Sequence, residues 1–510
     1  MDFVVPLFLL AVAALSLCSL LTGIKNRTRS HPPQPDGALP FIGHMLILRD
    51  GRPLAQTMAS LADKYGPVFM LRMGQKPTLI ISNSDAAREC FTTNDEVFAT
   101  RPLNPVGKLM GYDFGMMGFA PYGSYWRGIR KLTAMELLSK SRLANLKQVR
   151  AEEIGMCIRH LHRHLENRNG KDRQMPITVD MKQWMGNVTF NVVVKIVAGK
   201  RYFDDVAGGF SEQGWVFRKA ISRFFRLMKT PVLSDMLPFL RWLNLKGQES
   251  AMKDAFRDID DVVSLWLQEH RRHSDDDLMN VILSIINESD EYSTVSSMHN
   301  PDTVVKAVCM SLILGATDTT TNSLTLTLAS IVNRPNVLKK IQEELDFHVG
   351  HRSFVEESDI DNLVYLQAVV KETFRLHPTS EFLQPHESMK DCQVAGYHIP
   401  AGTRLLVNVW KLQRDPTVWV DPLEFRPERF LTTHKHVHVR GRQFELIPFG
   451  SGRRSCPGIS FALHVMHLTL SRLLHEFSIS TVTGQPVEMS PGLGSTLDPT
   501  PLELQLTPRL

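Results

Sequence analysis

Residues 449–458, with the sequence FGSGRRSCPG, constrain this chain more than any other segment. They place Cys456 in a tight turn between Gly452 and Gly458, with Arg454 two positions before it and an apolar stretch after it. A thiolate at the start of a helix is stabilised by backbone N–H groups and the helix dipole. The glycines let the backbone approach a flat ligand closely, and the guanidinium suits a carboxylate. The segment therefore predicts a haem site with cysteine as the axial ligand.

A buried structural cysteine near a helix start is the alternative interpretation, and it would be preferred for a lone cysteine. Here the spacing F-x-x-G-x-R-x-C-x-G is met at every fixed position, which favours the haem site. The segment resembles the haem-binding loop of the cytochrome P-450 (haem-thiolate monooxygenase) family. The resemblance implies that Cys456 binds the iron of haem b, that Arg454 binds a haem propionate and that Phe449 packs beside the sulfur.

Length, charge and cysteine content limit the class of protein. The chain has 510 residues, which exceeds the usual size of a single core, and a formal net charge of +5. That charge is too small and too dispersed to indicate a nucleic-acid partner. The six cysteines include no C-x-x-C pair, which indicates a reducing compartment rather than a disulfide framework.

The N-terminal segment predicts a membrane anchor. Residues 3–24 carry no charge, and about 20 apolar residues match a bilayer core of roughly 30 Å. Lys25, Arg27 and Arg29 follow, so the positive-inside rule leaves the rest of the chain in the cytosol. A cleaved signal peptide is the alternative, but the segment lacks a basic beginning and its apolar run is too long.

We expect an anchor over residues 1–24, a basic, proline-rich hinge over residues 25–43 and a haem-thiolate monooxygenase domain over residues 44–510. By resemblance to microsomal members of the family, the chain would cross the endoplasmic reticulum membrane once.

The remaining sequence predicts a mainly α-helical fold with small β-sheets, which is the fold class that the resemblance implies. Strand-like runs occur at residues 68–72, 78–81 and 404–409. The longest helix is predicted around the apolar segment 302–333, with Asn300 as its N-cap and Pro301 as its first helical position. Such a helix would span about 45–50 Å, enough to cross a whole domain.

The middle of this helix carries a polar segment, LGATDTT, at residues 314–320. Glycine and threonine are poor helix formers, and threonine hydroxyls can bond backbone carbonyls and open the helix locally. A merely kinked core helix is the alternative. The segment resembles the family motif [AG]-G-x-[DE]-T-[TS], with Ala316 where glycine is usual. The resemblance implies an oxygen-binding groove in which Asp318 relays protons from solvent and Thr319 hydrogen-bonds the bound oxygen.

A pair of charged residues predicts a structural network. Glu372 and Arg375 are three positions apart, so they share a helix face and can form an ion pair. They resemble the E-x-x-R helix of the family, and residues 427–430 resemble its P-E-R-F loop. The resemblance implies that Glu372, Arg375 and Arg429 form a buried network that braces the haem loop.

Three further residues complete the expected haem environment. Trp126 and Arg130 are four positions apart, which places them on one helix face. They resemble the W-x-x-x-R motif that binds a propionate in the family. His386 follows a proline where the family also carries a propionate-binding arginine or histidine.

The resemblance extends along essentially the whole chain and outlines a substrate pocket. Residues 111–123 and 440–448 resemble the plant branch numbered family 82, whose members oxidise alkaloids, flavonoids, coumarins, lignans and terpenoids. Glu381 stands in a loop that is usually apolar, so its carboxylate predicts either a contact with a cationic substrate or, preferably, a pair with a nearby arginine. The expected pocket residues are Tyr112, Phe114, Met116, Met117, Leu314, Ala316, Glu381, Phe382 and Leu493.

The sequence contains no strand–G-x-G-x-x-G–helix unit, so we expect no dinucleotide site in this chain. By resemblance, a separate NADPH–cytochrome P-450 reductase would supply electrons from NADPH, and O2 would be the second substrate.

The predicted function is a monooxygenase (hydroxylase) acting on a small, largely apolar plant specialised metabolite. A haem-thiolate carrier without turnover and a peroxide-rearranging haem-thiolate enzyme remain as alternatives. Asp318 and Thr319 favour the monooxygenase, because the alternatives need no proton relay.

Overall fold

The computed structural model describes residues 30–49, 51–169, 175–204, 209–230, 235, 247–273, 277–288, 292, 295, 298–350, 352, 354–489, 493 and 500–509. The predicted anchor over residues 1–24 and residues 25–29 of the hinge lie outside these ranges. Among the residues that the structure describes, no helix has both the length and the apolar character needed to cross a bilayer.

The described fold is mainly helical. In chain order, its α-helices are α1 (Leu54–Tyr65), α2 (Ser84–Phe91), α3 (Pro105–Met110), α4 (Ser124–Leu132), α5 (Lys140–Asn145), α6 (Lys147–Asn169), α7 (Met181–Ala198), α8 (Glu212–Lys229), α9 (Gln248–His270), α10 (Leu278–Glu288), α11 (Pro301–Val332), α12 (Pro335–His348), α13 (Val364–Leu376), α14 (Val409–Leu412) and α15 (Ile459–Glu476).

The strands form small sheets at the side of the helices. They are β1 (Val68–Met73), β2 (Lys76–Ile81), β3 (Ile177–Asp180), β4 (Phe203–Asp204), β5 (Gly209–Phe210), β6 (His386–Glu387), β7 (Cys392–Val394), β8 (Tyr397–Ile399), β9 (Arg404–Val407), β10 (Phe477–Thr481) and β11 (Glu503–Pro508). The largest described sheet has the order β1-β2-β9-β6, in which β2 and β9 are parallel and the other pairs antiparallel. A second sheet has the order β10-β11-β3, and β4-β5 and β7-β8 are two-stranded.

Helix α11 lies at the centre of the fold. It contacts α7, α9, α10, α12, α13 and α15, so most of its surface is buried. Its 32 residues span about 48 Å. Asn300 caps it, because the side-chain Oδ1 accepts a hydrogen bond from the Thr303 N–H at 2.7 Å. The helix begins at Pro301, the predicted first helical position, and ends one residue before the predicted limit.

The polar segment of α11 does not open the helix. Residues 314–320 remain helical throughout, although the Thr319 hydroxyl donates to the Gly315 carbonyl at 2.6 Å. The Thr317 hydroxyl makes the same kind of bond to the Ile313 carbonyl at 2.9 Å. Each of these hydroxyls therefore finds a hydrogen-bond acceptor within the helix without interrupting it, and the expected local opening is not observed.

Candidate active site

The cysteine segment folds as a tight turn directly before α15. The Cys456 N–H donates to the Phe449 carbonyl at 2.9 Å, and the Ser455 N–H donates to the Gly452 carbonyl at 3.1 Å. Gly450 and Gly452 have φ angles of 71° and 66°, which glycine adopts without strain. We call residues 449–458 the thiolate loop.

The sulfur of Cys456 is a free thiol. Burial raises the pKa of this thiol, whereas the Gly458 N–H and the Arg130 charge act in the opposite direction. The Phe449 ring lies edge-on to Phe374 with centroids 5.0 Å apart, which connects the thiolate loop to α13. A cysteine beside an N–H donor and a cation is suited to act as a thiolate ligand.

Arg454 extends from the thiolate loop into a ring of carbonyl groups. Its guanidinium lies 4.1 Å from the centroid of the Trp126 ring. It donates to the Ala120 carbonyl at 2.7 Å, to the Ala99 carbonyl and, at 3.3 Å, to the Met117 carbonyl. All of these acceptors are neutral, so the positive charge of Arg454 is not balanced by them.

Arg101 is a second buried cation at this site, and the sequence analysis did not identify it. Its guanidinium donates to the carbonyls of Gln384 and Pro385 at 2.6 and 2.9 Å. The Arg101 Nε is buried and has no acceptor in the described structure. Arg130, on α4, contributes a third cation, whose Nη2 lies 3.5 Å from the Ser455 hydroxyl.

These three arginines lack anionic partners. Among the described residues, no carboxylate lies within 4.0 Å of Arg101, Arg130 or Arg454. Burial lowers the pKa of Arg454 to about 8, with repulsion from Arg101 and Arg130 acting in the same direction. Burial also lowers the pKa of Arg101 to about 9. Unpaired buried charges are costly, so the cluster is suited to a ligand that carries carboxylates.

Two further buried groups face the same cluster. The Trp126 indole N–H is buried without an acceptor in the described structure. The His386 Nδ1 lies 2.7 Å from the Phe98 carbonyl, so Nδ1 is the protonated nitrogen. Burial and then the charge of Arg101 lower the pKa of His386 well below its usual range, which keeps the ring neutral. A carboxylate placed beside the ring would raise this pKa and allow the second nitrogen to donate.

The residues present fit a haem. Cys456 offers a sulfur ligand, and the glycines of the thiolate loop allow close approach. Arg101, Arg130 and Arg454, with Trp126, offer buried donors in excess of their protein acceptors. A flat macrocycle with two carboxylates would satisfy both features.

One strip of α11 is open although the helix is otherwise buried. Gly315 and Thr319 are exposed, and Leu312 and Ala316 are partly exposed. Their spacing places them on one helix face. The hydroxyl of Ser311, at the start of this strip, accepts a hydrogen bond from the Met117 N–H at 3.2 Å. Because the Met117 carbonyl also accepts from Arg454, the strip lies next to the arginine cluster.

Asp318 is next to this strip in sequence, but its side chain contacts α8. It is 7% exposed, and its Oδ2 lies 3.6 Å from the Lys229 Nζ at the end of α8. Lys229 is 45% exposed, so the contact leads from the buried carboxylate to the surface. Asp318 and Thr319 are therefore adjacent in sequence but have different surroundings. Thr319 lies on the open strip, whereas the Asp318 carboxylate contacts Lys229, which is partly exposed to solvent.

The residues predicted to form the pocket are not all at the open strip. Met117 and Ala316 are adjacent to it. Phe114 is half-buried, and its ring would lie 2.8 Å from a Cβ on Gly107. The others, which are buried in the main core with exposed fractions of 7% or less, are Tyr112, Met116, Leu314 and Leu493.

The segment that contains Tyr112 has an unusual backbone. Tyr112, Asp113 and Phe114 have φ angles of 54°, 49° and 65°. Each such residue costs about 1–2 kcal/mol in the left-handed region, so the surrounding structure must hold this loop in place. The Tyr112 ring packs edge-on against Phe256 of α9, with centroids 4.8 Å apart, and provides one such contact.

The side chains of the loop after α13 lie in two different environments. Ser380 and Gln384 are exposed, and the Gln384 side chain donates to the Gly118 carbonyl at 2.9 Å. Phe382 packs against the small cluster between α1 and the sheet rather than against the main core. The Gln384 side chain therefore reaches the residue next to Met117, whereas the predicted Phe382 packs in a different cluster.

Glu381 is half-buried on the other side of this loop. Burial raises the pKa of its carboxyl, and the charge of Arg414 acts in the opposite direction. In the described structure no cation lies within 4.0 Å of the carboxylate. The expected ion pair with an arginine is therefore not observed within this distance, and Arg414 acts on the Glu381 carboxyl only through its longer-range charge.

Glu372, Arg375 and Arg429 come together as a buried network. The Glu372 carboxylate accepts from Arg375 at 2.7 and 2.8 Å and from Arg429 at 3.1 Å. All three side chains are at most 1% exposed. The remaining N–H groups donate to carbonyls, including that of Gln413, whose own Oε1 accepts from the Ile447 N–H. The network therefore reaches the segment directly before the thiolate loop.

Comparison with known proteins agrees with this site. Residues 32–506 match the family model Cytochrome P450. The chain is 45% identical to Strychnine-10-hydroxylase of Strychnos nux-vomica over 489 residues, covering 94% of this chain and 92% of the relative. It is 44% identical to Xanthotoxin 5-hydroxylase CYP82C4 of Arabidopsis thaliana, covering 94% and 93%. It is 45% identical to Demethylepipodophyllotoxin synthase of Sinopodophyllum hexandrum, covering 95% and 93%.

The chain therefore belongs to the cytochrome P450 family, and it is a cytochrome P450 monooxygenase. The family resemblance seen in the sequence, including the plant branch numbered 82, is confirmed. The family also implies haem as the prosthetic group, in agreement with the donor set described above.

Proposed function

We propose that this monooxygenase hydroxylates a small, largely apolar plant specialised metabolite, drawn from the alkaloids, flavonoids or other phenolics, lignans and terpenoids. One observation carries the proposal: a free cysteine, three arginines without anionic partners and the open strip of α11 lie next to one another. The names of related proteins, among them a strychnine hydroxylase and a flavonoid hydroxylase, support the substrate range.

In this proposal Cys456 is the iron ligand. Arg101, Arg130 and Arg454 bind the two propionates, and the indole N–H of Trp126 donates to the same groups. His386 gains a proton when a carboxylate arrives beside it. The bound haem supplies the chemistry that activates O2.

The open strip of α11 lines the substrate pocket and takes part in proton delivery. Ala316 limits the width of the groove, and Thr319 places its hydroxyl on the open face. Asp318 passes protons inward from the surface, where Lys229 holds its carboxylate. Gln384 and Met117 form the adjoining wall that contacts the substrate.

Electrons come from NADPH through a separate NADPH–cytochrome P-450 reductase, and O2 is the second substrate. The chain acts at the endoplasmic reticulum membrane, with its catalytic domain in the cytosol. The support for this location is the uncharged run at residues 3–24 followed by basic residues.

Reconstitution tests the proposed function. The full chain, in membranes with the reductase, should consume O2 when NADPH is added together with a substrate that perturbs the haem spectrum. The substrates should come from a screen of alkaloids, flavonoids, lignans and terpenoids. Reaction in 18O2 should place one labelled oxygen atom in the product. NADPH-independent conversion, or products without label, would contradict the proposal.

Thr319→Ala should uncouple electron use from product formation. Haem binding should persist, because Thr319 is not a ligand, but product per NADPH should fall roughly tenfold or more as proton delivery fails. Thr317→Ala is the matched control: its hydroxyl makes the same type of bond within α11 but is buried away from the open strip. Equal coupling in the two variants would reject the role of Thr319.

Glu381→Gln should change the affinity for basic and neutral substrates equally, by no more than about twofold, because this carboxylate lies in the field of Arg414 rather than at the open strip. Gln384→Ala, on the exposed side of the same loop, should weaken substrate binding. The measurement is spectral titration with a matched amine and neutral ligand. Selective loss of amine affinity in Glu381→Gln would assign that residue to substrate recognition.

A further inference from the structure

One carboxylate lies directly against the thiolate loop. Asp95 follows α2, and its Oδ1 accepts a hydrogen bond from the backbone N–H of Arg453 at 3.0 Å. Its Oδ2 accepts from the Arg453 guanidinium at 2.6 Å. The side chain of Asp95 is 15% exposed, whereas that of Arg453 is 42% exposed. The carboxylate is thus partly enclosed and holds both the backbone and the side chain of one residue.

The glycine beside Arg453 makes this contact possible. Gly452 has a φ angle of 66°, and a Cβ at this position would collide with the Asp95 carboxylate and lie 3.1 Å from the Phe91 carbonyl. Gly452 is therefore required for the approach of Asp95 as well as for its own backbone conformation. Within the same turn, the Ser455 N–H donates to the Gly452 carbonyl.

The chain on either side of Asp95 contacts the same site. The Ala99 carbonyl accepts from Arg454, and the Phe98 carbonyl contacts His386. Arg101, whose Nε has no acceptor in the described structure, follows a few residues later. The segment over residues 91–101 therefore lies along the thiolate loop, and Asp95 is its charged contact with the loop backbone.

We infer that Asp95 is a positioning residue for Cys456. By fixing the backbone three residues before the cysteine, it sets the turn that presents the sulfur, without contacting substrate or haem. This inference rests on the proposed role of Cys456 as iron ligand. Its action through a backbone N–H distinguishes it from a surface ion pair, in which only charge would matter.

The test compares two substitutions at position 95. Asp95→Ala removes both hydrogen bonds, whereas Asp95→Asn keeps an oxygen that can accept from the Arg453 N–H. The readout is the thiolate band, which is the Soret maximum at about 450 nm of the reduced carbonyl complex. The rate at which this band is lost on mild heating is measured beside the unfolding temperature of the whole protein.

Asp95→Ala should lose the thiolate band roughly tenfold faster than the wild type, and Asp95→Asn should recover most of the difference. Asp63→Ala is the matched control, because Asp63 forms a 2.7 Å ion pair with Lys411 and makes no contact with the thiolate loop. It should lose the band at the wild-type rate.

Equal, wild-type rates for all three variants would overturn the inference, as would band loss in Asp95→Ala that occurs only together with global unfolding. Should Asp95→Ala not fold, Arg453→Ala decides: it keeps the backbone N–H that Asp95 accepts from and removes only the ion pair, so the band should be lost at close to the wild-type rate, and a roughly tenfold faster loss would overturn the inference. A wild-type protein without a thiolate band would instead refute the proposed role of Cys456, so the two failures are distinguishable.

Discussion

Replacing Glu372 with glutamine is expected to lower the free energy of unfolding by about 3–5 kcal/mol, because two buried arginines would lose the one carboxylate with which, among the described residues, they pair. Arg375 and Arg429 both donate to this carboxylate, and both are almost completely buried. Their other hydrogen bonds go to neutral carbonyls, which do not balance the charge. Since the network reaches the segment directly before the thiolate loop, the variant should also bind haem weakly.

Chemical denaturation of the purified protein measures this effect. Glu343→Gln is the matched control, because Glu343 forms an exposed ion pair with Lys339 on α12. Such pairs contribute little, so the control should unfold like the wild type. A Glu372→Gln protein with wild-type stability would show that the network is not needed to hold the fold.

Replacing Cys456 with serine is expected to abolish product formation completely. A hydroxyl at this position cannot supply the thiolate that tunes haem iron for O2 activation. The fold should persist, because Cys456 lies in the turn before α15, at the edge of the main core, and serine is close to cysteine in size. Cys392→Ser is the matched control, since Cys392 is a free cysteine of the same exposure class on β7.

The control should retain wild-type turnover with NADPH and the reductase. Residual NADPH-dependent product from Cys456→Ser above the level without enzyme would contradict the assignment. A loss of activity in both variants would show that the assay reports on general stability. Circular dichroism of each variant separates these outcomes.

The features that could be predicted from sequence are those with local causes. The limits of α11 were predicted within one residue, because Asn300 and Pro301 are start signals that act on the adjacent turn. The fold class was predicted and is confirmed, apart from the membrane anchor, which lies outside the described residues. The thiolate loop carries its own glycines, so its turn was also predictable.

The features that could not be predicted depend on distant parts of the chain. Arg101 contacts carbonyls 283 and 284 positions away, and Asp95 contacts the N–H of Arg453 at a separation of 358. No local spacing marks either residue. The position of Phe382 is likewise set by a distant contact, an isolated β-bridge to Asn408, directly after β9. Sequence patterns therefore pointed to Cys456, Arg454 and Arg130, whose motifs are local, but not to Arg101 or Asp95, whose contacts are distant.

The carbonyl spectrum of the full chain is the most direct test of Cys456 as the haem ligand. Reduced protein saturated with carbon monoxide should have its Soret maximum at about 450 nm, because a thiolate donates strongly to the iron. Cys456→His should lose this maximum while retaining haem, held by the arginine cluster. A wild-type maximum at the shorter wavelength typical of histidine ligation, or an unchanged band in Cys456→His, would contradict the account.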